Sequence, residues 1–185
     1  MTAAVSVLFA EPAAARMAES GGGNPQTGNT ERRQIMDVEK IKEYRVVKNN
    51  FASALGMRIT EITPGHAKME MDVTEKFMNP IKSVHGGCIY SLADSAAGTA
   101  AATGGSLMTT VSSDFHYLLP AIGCRKLFAE ADVIKEGKQI NVYFVTITGD
   151  DGKKLAVGTF TFFNLEMPIS SALEEDGADE PEDID

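Results

Sequence analysis

The chain has 185 residues, enough for one domain with a buried core, and carries 17 basic and 26 acidic side chains for a formal net charge of −9. Eight of those acids lie within residues 174–185, so the rest of the chain is nearly neutral and lacks the clustered bases of a nucleic-acid-binding surface. Two distant cysteines and three scattered histidines form neither a disulfide framework nor a metal-ligand pattern, and we predict no metal.

The two ends of the chain differ in composition from its middle. An early apolar run, AAVSVLFA, lacks preceding bases and is far too short to cross a membrane. We predict a disordered leader over residues 1–35, or a true start at Met17 or Met36, then a domain over residues 36–168 and a disordered acidic tail over residues 169–185. Two reduced thiols are typical of a cytoplasmic protein, and we predict neither membrane nor nucleic-acid partners.

The first predicted elements are a helix and a hairpin. Apolar residues at helical spacing follow Asp37, which can cap a helix that Gly56 can end. Two strands follow around the turn Pro64-Gly65, and apolar and polar side chains alternate over residues 66–73. This alternation predicts a sheet with one buried face.

A single long apolar helix comes next, over about residues 87–102, and Gly104-Gly105 ends it. At most four strands follow, with a hairpin turn at Asp150-Asp151-Gly152. The segments between these strands are too short for the crossover connections that parallel strands need. We therefore predict an α+β fold in which an antiparallel sheet wraps around one long central helix.

Asp94 is the only charged residue between Gly86 and Ala102. A helix that is apolar all round is typically buried, and a buried carboxylate is costly without a partner. No Lys or Arg lies three or four residues away, so a structural ion pair within the helix is excluded. We interpret Asp94 as a working acid or base, the alternative being a structural carboxylate that finds a partner elsewhere.

Gly86 and Gly87 begin the same helix and allow a ligand to approach their backbone N–H groups. Unpaired N–H groups at a helix start favour negative charge, including an oxyanion formed during acyl transfer. Gly86 and Asp94 are eight residues apart, about 12 Å along a helix axis. One chain can hardly bring both to the same carbonyl, whereas two antiparallel copies of the helix can, so we predict a homodimer with sites at its interface.

These residues resemble the hotdog-fold acyl-CoA thioesterases of the PaaI-like type. The resemblance covers roughly residues 50–164. It rests first on the ordered set Asn79, His85-Gly86-Gly87 and Asp94. The stretches VSSDFHYLLPA, DVIKEGKQINVYFVTIT and GKKLAVGTFTFF add to it. It implies hydrolysis of an acyl-CoA thioester, an oligomer that we expect to be a homotetramer of two dimers, and no cofactor beyond the coenzyme A of the substrate.

The resemblance also implies a role for each matching residue. Asp94 would be the general base or the nucleophile, and the N–H of Gly86, with that of Gly87, would polarise the thioester carbonyl. Asn79 would orient the carbonyl or the attacking water. His85 would support the loop and hydrogen-bond near the thioester, although it fits a purely structural role as well. Ser112 matches the position from which a hydroxyl places water near the carboxylate.

The coenzyme A phosphates need cations, and four near strand ends are candidates: Arg125, Lys126, Lys135 and Lys138. The competing interpretation is that they only keep the surface hydrated. Cys88 lacks a basic neighbour and is interpreted as core rather than as a nucleophile.

Two alternative functions stay open on the same fold: a hydroxyacyl-CoA dehydratase or hydratase, and a non-catalytic acyl-CoA binding module. The acyl group stays open.

Overall fold

The computed structural model describes residues 37–174, which form a six-stranded antiparallel sheet and several helices. The strands are β1 (Met57–Thr63), β2 (His66–Asp72), β3 (Ser106–Tyr117), β4 (Lys126–Lys135), β5 (Ile140–Gly149) and β6 (Lys154–Pro168). The helices are α1 (Val38–Lys42), α2 (Asn50–Ala54), α3 (Gly86–Ala102) and α4 (Ile169–Glu174). The strand order is β1-β2-β4-β5-β6-β3, so β1 and β3 are the edges. Helix α3 contacts all six strands, which confirms the predicted architecture.

Helix α3 forms where it was predicted, starting one residue earlier, at Gly86. Its second half, from Ser95 to Ala102, is buried on every side, because alanine, glycine and threonine side chains let the strands approach closely. The first half differs: Gly87 is exposed and Asp94 is only half-buried. Complete burial of the helix was therefore a wrong prediction for this half, because the sheet ends at the edge strand β3 and leaves that side of α3 uncovered in one chain.

Both predicted hairpin turns are confirmed. Gly65 joins β1 to β2 with a φ of 74°, a backbone conformation that favours glycine, and a Cβ there would overlap Val133. On β2 the apolar side chains of Ala67, Met69 and Met71 are buried, as the alternation predicted. The turn between β5 and β6 contains Gly152, whose φ is 77°.

The predicted helix from Asp37 to Gly56 is interrupted in the structure. Asp37 does cap α1, but a π-helical turn over Glu43–Val47 follows, and α2 begins anew. The reason is local: the Asn49 side chain accepts a hydrogen bond of 3.1 Å from the Ala52 N–H and so caps a new helix start. Gly56, with a φ of 67°, follows α2 as predicted.

Helix α4 lies where the sequence predicted the start of the tail. Ile169 is buried against Ile41 and Ala102, so the ordered domain extends beyond residue 168. The predicted leader and the acidic stretch after Glu174 lie outside the described residues. Between Asp37 and Glu174, no helix is both long and apolar enough to cross a membrane.

Candidate active site

The start of α3 distinguishes between the two glycine N–H groups that the sequence singled out. His85 is the N-cap of the helix, and its Nδ1 atom accepts a hydrogen bond of 2.9 Å from the Gly87 N–H. The Gly86 N–H has no partner within residues 37–174. Gly86 is therefore the free donor of the pair, and Gly87 is held by the histidine. An acceptor Nδ1 places the His85 proton on Nε2 when the ring is neutral.

Gly86 lies in a surface cleft of about 330 Å³. Asn79, Ser83 and Tyr117 are the other polar residues that line this cleft. Its apolar lining includes Ile81, Ile89, Val84, Leu118, Leu119 and Pro120. The Tyr117 hydroxyl donates a hydrogen bond of 2.8 Å to the Gly86 carbonyl and packs its ring against this glycine. An apolar cleft with a few convergent polar groups is the usual form of a small-molecule site.

Asn79 shapes the loop that leads into α3. Its Oδ1 atom accepts hydrogen bonds from the N–H groups of Ile81 (3.1 Å) and Ser83 (3.0 Å). Between them, Lys82 has a φ of 62°, so the loop turns tightly. The Nδ2 group of Asn79 has no hydrogen-bond partner in the described part of the chain, and it remains free to donate to a group in the cleft.

Asp94 faces the edge strand. The Thr110 hydroxyl donates a hydrogen bond of 2.9 Å to Asp94 Oδ1. Tyr90 lies one turn earlier on α3, and its hydroxyl is 2.7 Å from that of Ser113. With the bond between Tyr117 and Gly86, three contacts thus connect α3 to β3 along the length of the uncovered half of the helix.

The structure does not bring Ser112 to Asp94 within one chain. A β-bulge lies between Thr110 and Ser112, so that Thr110 pairs with Phe162 and Ser112 pairs with Thr161 on β6. Directly paired residues share a sheet face, and Phe162 is 2% exposed on the inner face. Thr110 therefore points toward α3 and Ser112 points away from it. The stretch TTVSS holds four hydroxyl side chains, and only the register shows which one meets the carboxylate.

Asp94 and Gly86 also remain apart. Helix α3 is unbroken from Gly86 to Ala102, so their separation along its axis is about 12 Å. A thioester whose carbonyl oxygen binds the Gly86 N–H places its carbonyl carbon far from the carboxylate of the same chain.

Arg125 and Lys126, at the start of β4, are paired with acidic residues. Arg125 Nε lies 3.1 Å from Asp150 Oδ2, and this hydrogen bond holds the pKa of Asp150 below its usual value. Lys126 Nζ lies 3.0 Å from Glu70 Oε1. Both cations are thus already balanced in the protein.

Lys135 and Lys138 lie at the opposite end of β4 from Lys126. Nine strand steps, about 30 Å, separate Lys126 from Lys135, so the four candidate cations do not form one cluster. Lys138 is 85% exposed and 3.7 Å from Glu166, and Lys135 has no ion-pair partner within residues 37–174. Arg125 is itself 91% exposed, so Lys135 and Lys138 differ from it in having no ion-pair contact shorter than 3.7 Å among the described residues, not in accessibility.

Other candidate groups lie elsewhere. Burial raises the pKa of the Cys88 thiol, which does not favour a reactive thiolate. His66, Glu130 and Asp132 bring potential metal-ligand atoms within 4.8 Å of one another, on a surface for which the sequence predicted no metal. Lys68 lies 3.3 Å from Glu130 and balances its charge, so these residues form an ion-pair network.

Comparisons with known proteins agree with this fold. The sequence model of the thioesterase superfamily matches residues 82–156. A candidate esterase of Archaeoglobus fulgidus is 32% identical over 136 residues, 72% of this chain and 88% of that protein. The acyl-coenzyme A thioesterase PaaI of Escherichia coli is 34% identical over 106 residues, 57% of this chain and 76% of that protein.

Solved structures agree as well. The structure of Escherichia coli PaaI has a TM-score of 0.66 and 28% identity, covering 71% of this chain and 97% of that one. The protein smu.793 of Streptococcus mutans, solved bound to acetyl CoA, has a TM-score of 0.58 and 26% identity, covering 60% of this chain and 90% of that one. The architecture is therefore the hotdog fold. The chain belongs to the thioesterase superfamily and is a thioesterase of the PaaI-like hotdog type.

Proposed function

We propose that this thioesterase hydrolyses an acyl-CoA thioester at a site formed by two copies of the chain. The observation that carries the proposal is the arrangement along α3. An unpaired Gly86 N–H faces a cleft at the helix start, while Asp94 lies about 12 Å further along the same helix. Two helices packed antiparallel around a two-fold axis would bring the Gly86 of one chain to the Asp94 of the other.

The proposed reaction needs one group that accepts a proton and one group that donates a hydrogen bond to the oxyanion. Asp94 takes a proton from a water molecule as the water oxygen bonds to the thioester carbonyl carbon. The Gly86 N–H donates to the oxygen that becomes negative, and Asn79 Nδ2 orients the carbonyl or the water. The tetrahedral intermediate then breaks its carbon–sulfur bond. The departing thiolate takes up the proton, and the products are a free acid and coenzyme A.

The family resemblance implied that the Ser112 hydroxyl places water near the carboxylate, and we propose a different role for the hydroxyl of Thr110. By donating to Asp94 Oδ1, its hydroxyl orients the carboxylate and leaves Oδ2 open toward the water. In the alternative mechanism, Asp94 attacks the carbonyl carbon itself, and water then hydrolyses the resulting anhydride. The same hydrogen bond would serve either mechanism.

Two features of the single chain support a shared site. Strand β3 is a sheet edge twelve residues long, and an edge of this length offers its backbone groups to another strand. Beside it, Gly87, Ser91 and Asp94 line the uncovered side of α3, and their small side chains permit close approach of a second helix. A second copy that covers β3 and α3 together would bury Asp94. A tetramer of two such dimers remains our expectation.

The acyl-CoA substrate is supported by the relatives. Escherichia coli PaaI is named an acyl-coenzyme A thioesterase, and the smu.793 protein was solved bound to acetyl CoA. The apolar residues of the cleft, such as Ile81 and Leu118, fit an acyl group better than a charged one. We propose Lys135 and Lys138 for the coenzyme A phosphates. Lys135 has no ion-pair partner within residues 37–174, and Lys138 lies 3.7 Å from Glu166, whereas the acidic partners of Arg125 and Lys126 lie at 3.1 and 3.0 Å.

The geometry of His85 argues against the dehydratase alternative. A histidine base needs an unprotonated nitrogen that faces the substrate. The Nδ1 atom of His85 already accepts from the Gly87 N–H, which leaves the protonated Nε2 as a donor only.

The direct test is thiol release from acyl-CoA, followed with a thiol reagent for acetyl-, hexanoyl- and phenylacetyl-CoA. We expect turnover of at least one of them, and a fall of two or more orders of magnitude in kcat for Asp94→Asn, a loss typical of a missing general base. The amide has nearly the same shape, so circular dichroism should be unchanged. Full activity of Asp94→Asn would exclude the proposed mechanism.

A further inference from the structure

Behind α3 lies an arginine that none of the sequence patterns singled out. Arg45 belongs to the π-helical turn Glu43–Val47, which is closed by a hydrogen bond of 2.9 Å from the Lys48 N–H to the Glu43 carbonyl. Such turns are rare and re-aim the side chains they carry. Here the turn directs the Arg45 guanidinium onto the middle of α3, where Nη2 donates to the Ser95 carbonyl at 3.3 Å.

Gly98 makes room for this guanidinium. A Cβ at Gly98 would overlap the guanidinium nitrogen and carbon atoms of Arg45. Asp94 lies four residues earlier, on the same face of the helix and about 6 Å away along its axis. The arginine charge thus lies one helical turn from the proposed base.

Arg45 is half-buried as a residue and lines a surface pocket, but part of its guanidinium is shielded from solvent. Its Nε atom is inaccessible to solvent and has no hydrogen-bond partner in the described residues. Burial lowers the pKa of Arg45, and the neighbouring Tyr44 and then the charge of Asp94 act in the opposite direction. Arginine nevertheless stays charged at neutral pH, and a buried charge is costly unless an opposite charge compensates for it. Among the described residues, Asp94 is the carboxylate that acts on Arg45.

We propose that Arg45 is a positioning residue that keeps the Asp94 carboxylate ionised from behind α3 while a second chain closes over the site. The inference rests on the proposed function, in which Asp94 is the base. A second copy would remove water from Asp94, and desolvation by itself favours the protonated, inactive acid. A fixed positive charge held by Ser95 and Gly98 opposes that effect. The groups near Asp94 are Arg45, on the side of Gly98, and the Thr110 hydroxyl on β3. Tyr90, one turn earlier on α3, bonds to Ser113 instead, and Tyr44 lies beside Arg45.

The test compares pH profiles of kcat/KM for wild type, Arg45→Gln and Arg45→Lys, using the acyl-CoA that wild type turns over best. Without the charge, the acidic limb should move to higher pH by about half to one unit, whereas Arg45→Lys should stay closer to wild type. Lys48→Gln is the matched control. It removes one positive charge three residues away on the exposed rim of the same surface pocket, where water screens it, and should shift the limb by much less.

Gly98→Ala tests the same contact without removing the arginine. Alanine strengthens a helix, so folding should be retained, but its methyl group displaces the guanidinium and should move the acidic limb in the same direction as Arg45→Gln. Acidic limbs of Arg45→Gln and Gly98→Ala that coincide with that of wild type would overturn the inference.

A carbon-13 NMR titration of the Asp94 carboxyl, assigned with Asp94→Asn, separates this inference from the proposed function. The titration needs no turnover. We expect a higher midpoint in Arg45→Gln than in wild type. If wild type releases no thiol from any acyl-CoA, the proposed function fails. The difference in titration midpoint between Arg45→Gln and wild type still decides the electrostatic role of Arg45. Equal midpoints would refute that role even in an active enzyme.

Discussion

The Thr110 hydroxyl donates a hydrogen bond of 2.9 Å to Asp94 Oδ1 and thereby fixes the one carboxylate of α3 against the edge strand β3. A β-bulge follows Thr110 and turns Ser112 to the other face of the strand. Without the bulge, the positions of β3 beyond it would exchange faces, because the side-chain period of a strand is two. Strand register thus decides which hydroxyl of β3 meets the candidate base.

The first prediction concerns this hydroxyl. Thr110→Val keeps the shape of the side chain but removes the donor, so kcat for acyl-CoA hydrolysis should fall by about tenfold or more. Thr110→Ser should retain most of the activity. Ser112→Ala provides the comparison, because Ser112 points away from α3 in one chain. A larger loss in Ser112→Ala than in Thr110→Val would assign the role to Ser112 instead.

The second prediction tests the shared site by complementation. If Asn79 and Gly86 of one chain serve the Asp94 of another, a mixed dimer of Asp94→Asn and Asn79→Ala subunits contains one doubly altered site and one intact site. Activity should partly return when the two variants are mixed and exchange subunits, up to about half that of wild type per mixed dimer.

Two measurements keep this second prediction decisive. Native mass spectrometry should first show that mixed dimers form. Mixed dimers without any gain in activity would contradict a site divided between chains. Light scattering that shows an active monomer at micromolar concentration would do the same.

The third prediction concerns His85. Because its Nδ1 atom caps α3 through the Gly87 N–H, His85→Ala should lower the free energy of unfolding by about 1 kcal/mol in chemical denaturation. His85→Asn can cap the helix with its side-chain oxygen and should recover most of that loss. Equal stabilities of wild type and His85→Ala would show that the cap contributes little.

The fourth prediction separates structural from substrate-binding cations. Lys126, followed by Arg58, holds the pKa of Glu70 below its ordinary value of 4.5 through hydrogen bonds. A lowered folded-state pKa means that the stabilisation is complete above the unfolded value and is lost as pH falls through the folded one. Lys126→Met should therefore reduce stability at neutral pH, by less than about 1 kcal/mol since the pair is near the surface, and the difference from wild type should shrink below about pH 4.5.

Kinetics complete that comparison. Lys126→Met should leave KM for acyl-CoA unchanged, whereas Lys135→Met combined with Lys138→Met should raise it without lowering kcat, because phosphate contacts lie far from the reacting carbonyl. The opposite pattern, with KM raised only by Lys126→Met, would relocate the coenzyme A site to the other end of β4.

The sequence by itself determined what local patterns can encode. Alternation over residues 66–73 predicted β2, the apolar run before Gly104 predicted α3, and glycine-containing turns predicted both hairpins, because side-chain periods and backbone preferences act between near neighbours. Gly86 and Asp94 stood out for the same reason, as unusual residue types at the start and in the middle of an apolar helix, whereas Asn79 was named only through the resemblance to a known family.

Only the tertiary structure decided which of these groups face one another. The free Gly86 N–H depends on the His85 cap, the choice of Thr110 over Ser112 depends on a bulge, and the approach of Arg45 to α3 depends on a π-turn and on Gly98, 53 positions later. The half-exposed state of Asp94 follows from the position of β3 at the sheet edge. Such relationships join residues far apart in the chain, and they arise from packing, which sequence periodicity does not encode.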